Sequence, residues 1–257
     1  MEVESRDIMV DTHSHLYREY YDNLDDIIKD IKKSGVDKVI VNGCDLRTNL
    51  EVLELVKKYD IVYGALGFHP TEIHDDINDC ISFLENHIND NKIVAVGEIG
   101  LDYHYENFNK VNQQELFKRQ LEIAEKNKKP VIVHSRDAVQ DTYDMLIKYN
   151  IIGSIHAFSG SLEMAKGFIN KGFYLGIGGV CTFKNAKNIV NVIENIDLAY
   201  ILLETDSPYL TPEPYRGQIN TPAYIPLIAK KISEIKNKEL SEVISITTKN
   251  AESLFDF

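Results

Sequence analysis

Two histidines separated by one residue end the first apolar run of the chain. His13 and His15 lie in the segment IMVDTHSHLY, residues 8–17. Because successive side chains of a β-strand point to opposite faces, these two point the same way if the strand continues through them. Two neutral imidazoles aimed at one point are the beginning of a metal site. Alone the pair is weak support, since a histidine at a strand end is commonly a hydrogen-bonded surface residue.

Four more metal-competent side chains follow later apolar runs in the same way. They are Glu98 in AVGEIGLD, His134 in VIVHSR, His156 in SIHAF and Asp206 in LLETDSP. Any one of them can be explained as a helix cap, but six that converge are hard to explain by packing. Four histidines and two carboxylates exceed the ligands that one tetrahedral zinc takes. They suit two ions that share a carboxylate, as in hydrolases whose paired ions lie about 3.5–4 Å apart.

Such a pair of ions would give the site hydrolytic chemistry. The charge of a divalent ion lowers the pKa of a bound water, so hydroxide becomes available near neutral pH. Asp206 can ligate one ion and also orient or deprotonate this water. Glu98, which ends a central strand and has glycines on both sides, is the predicted bridge. Glu98 and Asp206 are therefore the predicted catalytic residues. The predicted reaction is hydrolysis of an ester, an amide or a phosphodiester.

The apolar runs themselves predict one repeating architecture. There are eight of them: IMVDTH, DKVIVNG, VYGALGFHP, IVAVGEIG, PVIVHSR, GSIHAF, YLGIGG and YILLETDSP. Their near-continuous apolar character is typical of parallel strands buried on both faces. Amphipathic helices are predicted between them, for example in NLDDIIKDIKKSG, where Asn23 can cap the start and Gly35 the end.

This alternation predicts an α/β fold, a closed (β/α)8 TIM barrel formed by residues 1–257 as a single domain. An open doubly wound sheet is the alternative, but no G-x-G-x-x-G motif follows the first strand to support a Rossmann fold. In a barrel the carboxyl ends of all strands lie on the face that carries active sites. The six candidate ligands are therefore expected to meet there.

Charge and composition restrict the partners. The net charge of −12 excludes a surface that coats a nucleic acid, so any contact with a polyanion must be local. The start MEVESRD does not have the pattern of a signal peptide, and the apolar runs are too short to span a bilayer. Three cysteines without a C-x-x-C pair are typical of a reducing cytosol. We expect a cytoplasmic enzyme with no membrane contact and no obligate protein partner.

Eight segments spread over residues 9–255 form a larger pattern. In order they are DTHSHL, GFHP, GEIGLDYHYE, FKRQLEIAEKNKKPVIVHSRDA, HAFSG, GIGGVCTFKNAK, LLETDSPYLTPEPYRGQINTP and TTKNAESLF. Together they resemble the TatD family of metal-dependent deoxyribonucleases over almost the whole chain. Tyr215 and Thr221 depart from the family pattern, in the loop after the eighth strand, and neither removes a candidate ligand.

The resemblance implies a barrel with two divalent metal ions and a 3′–5′ exodeoxyribonuclease-type activity on single-stranded DNA ends. It assigns one ion to His13, His15, Glu98 and Asp206, and the other to Glu98, His134 and His156. It also implies that His69 in GFHP and Arg136 in HSRDA bind the substrate phosphate. Zinc, manganese and magnesium are all compatible with such ligands.

Competing interpretations remain open. The same metal frame could serve a deacylase or amidohydrolase, for example one acting on aminoacyl-tRNA. Because the fourth strand offers Glu98 and no lysine to be carboxylated as a bridge, opening of cyclic amides is less favoured. A non-catalytic metal-binding scaffold is a third class. His69 could instead bind a neighbouring loop, and Arg136 could form a salt bridge to a nearby acid.

Overall fold

Eight strands alternate with α-helices in residues 8–72, 76–106 and 108–257, which the computed structural model describes. The strands are β1 (Met9–Ser14), β2 (Val36–Asn42), β3 (Val62–Leu66), β4 (Ile93–Asp102), β5 (Val131–Arg136), β6 (Gly153–Ile155), β7 (Phe173–Ile177) and β8 (Ile201–Leu203). The helices are α1 (Leu24–Lys33), α2 (Leu46–Lys58), α3 (Ile77–His87), α4 (Lys110–Asn127), α5 (Val139–Leu146), α6 (Leu162–Asn170), α7 (Lys187–Asn195), α8 (Ile225–Lys236) and α9 (Leu240–Leu254). Within the described ranges no helix is both long and apolar enough to cross a bilayer.

The strands pair in chain order, each parallel to the next. Between β1 and β8 the circle is completed by a bridge from Ser14 to Ser207. Two backbone hydrogen bonds reinforce it: Asp206 N–H donates to His13 O at 2.9 Å, and His15 N–H donates to Ser207 O at 2.7 Å. The sheet is a nearly closed barrel in a single domain, which confirms the predicted (β/α)8 class.

Helix α1 forms where its apolar stripe and its cap predict it. In α1 the Asn23 side chain accepts a hydrogen bond from Asp25 N–H, while Ile28 and Ile31 are buried against the barrel. Gly35 follows the end of this helix with a φ of +89°, a conformation that glycine adopts readily. Two helices, α8 and α9, follow β8.

Strand alternation connects the barrel interior to the candidate site. An interior cluster, which α9 closes from the amino-terminal end, includes Val10, Ile40, Ile132, Leu202, Leu254 and Phe255. Residues two positions further along a strand share a face with these. Asn42, His134 and Glu204 are therefore directed to the inside of the barrel, at its carboxyl-terminal face.

The strand boundaries differ from the predicted ones at two candidate ligands. Strand β4 continues four residues past Glu98, to Asp102, whereas β8 ends at Leu203, three residues before Asp206. The register of β4 against β5 shifts between Val96 and Ile99. Such an irregularity re-aims a side chain within a continuing strand, which explains how Glu98 enters the site without ending its strand.

Candidate metal centre

Four donor atoms gather at the carboxyl-terminal face of the barrel. We call them the first donor set: His13 Nε2, His15 Nε2, Glu98 Oε2 and Asp206 Oδ1. The two imidazole nitrogens are 3.2 Å apart. Glu98 Oε2 lies 3.4 Å from His13 and 3.5 Å from His15, and Asp206 Oδ1 lies 3.6 and 3.4 Å from the same nitrogens.

Each carboxylate oxygen lies at a distance from the two imidazoles that fits a shared ion, while Glu98 and Asp206 belong to different compact groupings of donor atoms. Ligand atoms at about 2.0–2.1 Å from a tetrahedral zinc are about 3.4 Å from one another. The five distances above span 3.2–3.6 Å around that value. The side chains of His13, His15 and Glu98 are at most 6% exposed, and that of Asp206 is 14% exposed. The first donor set therefore suits a divalent cation, with Asp206 the most accessible member.

A second group of donors surrounds the other oxygen of Glu98. We define the second donor set as Glu98 Oε1, His134 Nδ1 and His156 Nε2. Oε1 lies 2.9 Å from His134 Nδ1 and 3.4 Å from His156 Nε2. The second set is less compact than the first. Donor atoms that lie within 4.8 Å of one another join His156 to Glu98 and His13, and His134 to Glu98 and His69, rather than the two histidines to each other. The carboxylate of Glu98 thus presents one oxygen to each set.

His69 also approaches Glu98, and its donor atom groups with those of Glu98 and His134. Its Nδ1 accepts a hydrogen bond from Thr71 N–H at 3.2 Å, and its Nε2 lies 3.5 Å from Glu98 Oε1. Burial, together with the neighbouring His134, lowers the pKa of His69 to about 3, so the ring is neutral. A neutral imidazole that accepts at Nδ1 carries its proton on Nε2, which is directed into the site.

Arg136 lies at the end of β5 and is exposed. Its guanidinium is 5.7 Å from the ring centroid of Tyr105, a cation–π arrangement. Arg136 lines both of the cavities that meet at the site. The side chain is therefore within the cleft, in a position to meet an anionic ligand.

The charges of the site favour the ionised carboxylates. Burial alone would raise the pKa of Glu98, but His69, His156 and His13 hold it well below its usual range. Burial would likewise raise the pKa of Asp206, yet the surrounding histidines lower it. Both carboxylates are therefore anions at neutral pH, the form in which they bind divalent cations.

Two buried carboxylates behind the histidines are functional candidates that the sequence analysis missed. Asp102 Oδ2 lies 3.0 Å from His134 Nε2, on the opposite side of the ring from Glu98. Glu204 Oε1 accepts a hydrogen bond from Ala157 N–H and lies 3.3 Å from His156 Nδ1, without the alignment of a hydrogen bond. Carboxylates in such positions orient metal-binding imidazoles and raise their basicity. Their signal in the sequence is an acidic residue next to a motif, in GLDYH and LLETD.

A glycine makes room for one of these carboxylates. A Cβ at position 176 would lie 2.0 Å from Glu204 Oε2, so any other residue would displace this side chain. A third carboxylate, Asp11, accepts from the backbone N–H groups of His13 and Thr205. Burial raises the pKa of Asp11 to about 8. Asp11 therefore fixes the backbone at the closure between β1 and the segment after β8.

We expect Asp102→Asn to weaken metal binding about 10- to 100-fold, the usual cost of losing a carboxylate behind a ligating histidine. Titration of the metal-free protein with zinc or manganese measures this change. The matched control is Asp90→Asn, because Asp90 pairs with His87 at 2.9 Å on the surface. Unchanged affinity in Asp102→Asn would show that Asp102 does not support the centre.

Two other histidines, His87 and His104, form ion pairs away from the donor sets. His87 pairs with Asp90, and His104 Nδ1 lies 2.8 Å from Asp137, both on the surface. His74 lies outside the described residues.

Two cavities meet at the donor sets. One has a volume of about 580 Å³ and is lined mainly by apolar residues, among them Phe158, Val180, Ile189 and Leu210. The other has a volume of about 500 Å³ and is lined by polar and aromatic residues, among them Tyr17, Tyr20, Arg47 and Tyr105. Both include His134, Arg136, His156, Asp206 and Tyr209. The donor sets therefore lie where a ligand that enters either cavity meets them.

Comparison with known proteins gives consistent matches over nearly the full chain. A family model described as TatD related DNase matches residues 10–256. The uncharacterized metal-dependent hydrolase YabD of Bacillus subtilis is 38% identical over 252 residues, which cover 96% of this chain and 99% of that protein. The uncharacterized metal-dependent hydrolase YcfH of Escherichia coli K12 is 34% identical, covering 96% and 95%. The crystal structure of YjjV, a TatD homolog from E. coli K12, matches with a TM-score of 0.90 at 31% identity and covers 97% of this chain and 98% of that one.

Proposed function

Because the chain belongs to the TatD related DNase family and is a metal-dependent hydrolase, we propose that it acts as a 3′–5′ exodeoxyribonuclease-type phosphodiesterase on DNA ends. The observation that carries the proposal is the position of the Glu98 carboxylate. One oxygen belongs to the first donor set and the other to the second. A carboxylate shared in this way supports a site for two ions, an arrangement used to cleave phosphodiesters.

The two donor sets support one assignment of ligands. His13, His15, Glu98 and Asp206 would hold one ion, and Glu98, His134 and His156 would hold the other. Two divalent ions, when bound, lower the pKa of a water and neutralise charge on a phosphate. Asp206 borders both cavities, so its carboxylate can orient the attacking water and accept its proton.

Two further side chains would hold the phosphate. His69 Nε2–H is a neutral donor directed into the site, which suits a phosphate oxygen. Arg136 reaches the same cleft with a planar guanidinium that can donate two parallel hydrogen bonds. The net charge of −12 agrees with a local grip on a strand end, since the protein lacks the excess of cations that coats a duplex.

A release assay with single-stranded DNA, duplex DNA, RNA and an aminoacyl-tRNA tests the proposal, each with and without divalent metal. We expect stepwise release of nucleotides from DNA ends, fastest on single strands. Chelation should abolish release and added divalent ion should restore it.

Three outcomes would contradict this result. Full activity of verified metal-free protein would refute the two-metal mechanism. Cleavage of a closed circular single strand as fast as a linear one would refute recognition of ends. Release of the amino acid from aminoacyl-tRNA without release of nucleotides would identify a deacylase instead.

A further inference from the structure

Two exposed tyrosines lie on opposite sides of the barrel mouth. Tyr105 follows β4 and is 56% exposed, whereas Tyr209 follows β8 and is 50% exposed. Strands β4 and β8 are four positions apart in a barrel of eight, so they face each other across its axis. Both rings line the polar cavity beside the donor sets. We propose that Tyr105 and Tyr209 are stacking platforms for two nucleobases, one on each side of the scissile phosphate; this inference rests on the proposed function.

Tyr209 is held rigidly although half of its surface is exposed. Its hydroxyl is 2.9 Å from the hydroxyl of Tyr20, and its ring meets the rings of Tyr20 and His15 edge-on at 6.0 and 6.3 Å. Its backbone N–H donates to Asp206 O at 2.8 Å, and its carbonyl accepts from Asn220 Nδ2 at 2.6 Å. A ring fixed in this way next to a candidate ligand offers a preformed face at low entropic cost.

Tyr105 is connected to the position of the phosphate through Arg136. The guanidinium of Arg136 lies 5.7 Å from the ring centroid, and the ring of His104 meets that of Tyr105 edge-on at 5.5 Å. An arginine that binds the phosphate and an aromatic ring that stacks on the adjacent base are together suited to a nucleotide. Stacking on aromatic rings and cation–π contacts from arginine are how single strands are held without regard to sequence.

The charge balance at the rim explains why stacking is needed. Arg47 pairs with Glu19 at 2.8 Å, and Arg18 pairs with Glu54 at 2.8 Å, so these cations are shared with acids. A protein with a net charge of −12 gains little binding free energy from phosphates that lie outside the metal centre. Contacts to the bases must then supply the affinity. Two platforms on opposite sides of the mouth require adjacent bases to separate, which a single strand allows and a duplex resists.

The test compares oligodeoxynucleotides that carry a base or an abasic residue at the terminal or the penultimate position. Wild type should prefer the base-bearing oligonucleotide about 5- to 100-fold in kcat/KM at each position, the range expected for one stacked base. Tyr209→Ala should bring this ratio close to one at one position, and Tyr105→Ala at the other. Tyr209→Phe keeps the ring, loses the hydroxyl contact to Tyr20 and should keep the ratio.

The matched control is Tyr200→Ala. Tyr200 is 39% exposed and precedes β8, at the opposite end of the barrel from the site. Its removal should leave both ratios as in wild type. If both alanine variants at positions 105 and 209 keep the wild-type ratios, the platforms are refuted.

A second readout does not depend on turnover. An oligonucleotide with 2-aminopurine at either position should change its fluorescence on binding to wild type, and this change should disappear in the corresponding alanine variant. The same change in wild type and variants would overturn the inference. If no oligonucleotide is cleaved but the fluorescence change follows the tyrosines, the exonuclease proposal fails and the base-binding sites stand.

Discussion

Glu98→Gln should bind no more than one divalent ion per chain and lose about 10³-fold in kcat, since the charge stabilisation from a metal ion amounts to several kcal/mol. The glutamine has nearly the same shape, so the fold of β4 is preserved. Its amide offers one oxygen and one NH2 group where the carboxylate offers two oxygens. One of the two donor sets must therefore lose the oxygen that residue 98 contributes to it. Metal analysis of the purified variant, followed by steady-state kinetics on DNA, measures both effects.

The control for this substitution is Glu115→Gln, on the exposed face of α4. It removes the same charge from an exposed side chain that belongs to neither donor set, and it should keep two ions and the full rate. A crystal structure of Glu98→Gln with both ions retained would show that the carboxylate is not the bridge. Loss of both ions would indicate that neither donor set can hold an ion without this carboxylate.

The barrel was predictable because its signal is local. A strand buried on both faces needs a continuous apolar run. Each of the eight runs can be recognised without reference to the rest of the chain. That His13 and His15 point the same way follows from strand alternation at the end of one such run. Their direction into the site does not, because alternation from the interior residue Val10 would turn Thr12 inward, and the register of β1 against β2 shifts between Asp11 and Ser14. The face on which His134 and His156 lie could still be expected before any contact was known.

The finer arrangement of the site depends on contacts between distant segments. Glu98 enters the cluster through a register shift between β4 and β5, and no pattern within β4 marks such a shift. Asp102 and Glu204 become partners of His134 and His156 only when separate strands are brought together. An isolated acidic residue beside a motif gives no indication of which histidine it supports.

The closure of the barrel contributes directly to the first donor set. Asp206 N–H donates to His13 O, and Asp11 binds the backbone N–H groups of both His13 and Thr205. The segment after β8 is thereby fixed against the end of β1. As a result, the spacing between Asp206 Oδ1 and the two imidazoles is set by backbone contacts and does not depend on an ion alone.

Asp206→Asn should lower kcat on DNA about 10³-fold while the second donor set keeps its capacity for an ion. Asparagine is the suitable replacement, because Asp206 has a φ of +54° and asparagine tolerates this left-handed conformation better than alanine. The amide can still ligate weakly through its oxygen, but it cannot accept a proton from water. Loss of a general base typically costs about 10²–10⁴ in rate, so the two roles of Asp206 can be separated.

The separating measurement is kcat at rising metal concentration, with ion stoichiometry followed in parallel. If Asp206 serves as base as well as ligand, restoring the full complement of ions should leave the rate at least about 100-fold below wild type. Full recovery of the rate at saturating metal would reduce Asp206 to a ligand and assign the proton to another group. Asp144→Asn, on the exposed face of α5, supplies the matched loss of charge and should behave as wild type. Because the side chain of Asp206 is 14% exposed while that of Glu98 is 4% exposed, Asp206 is the more accessible of the two carboxylates, as the role of a base requires.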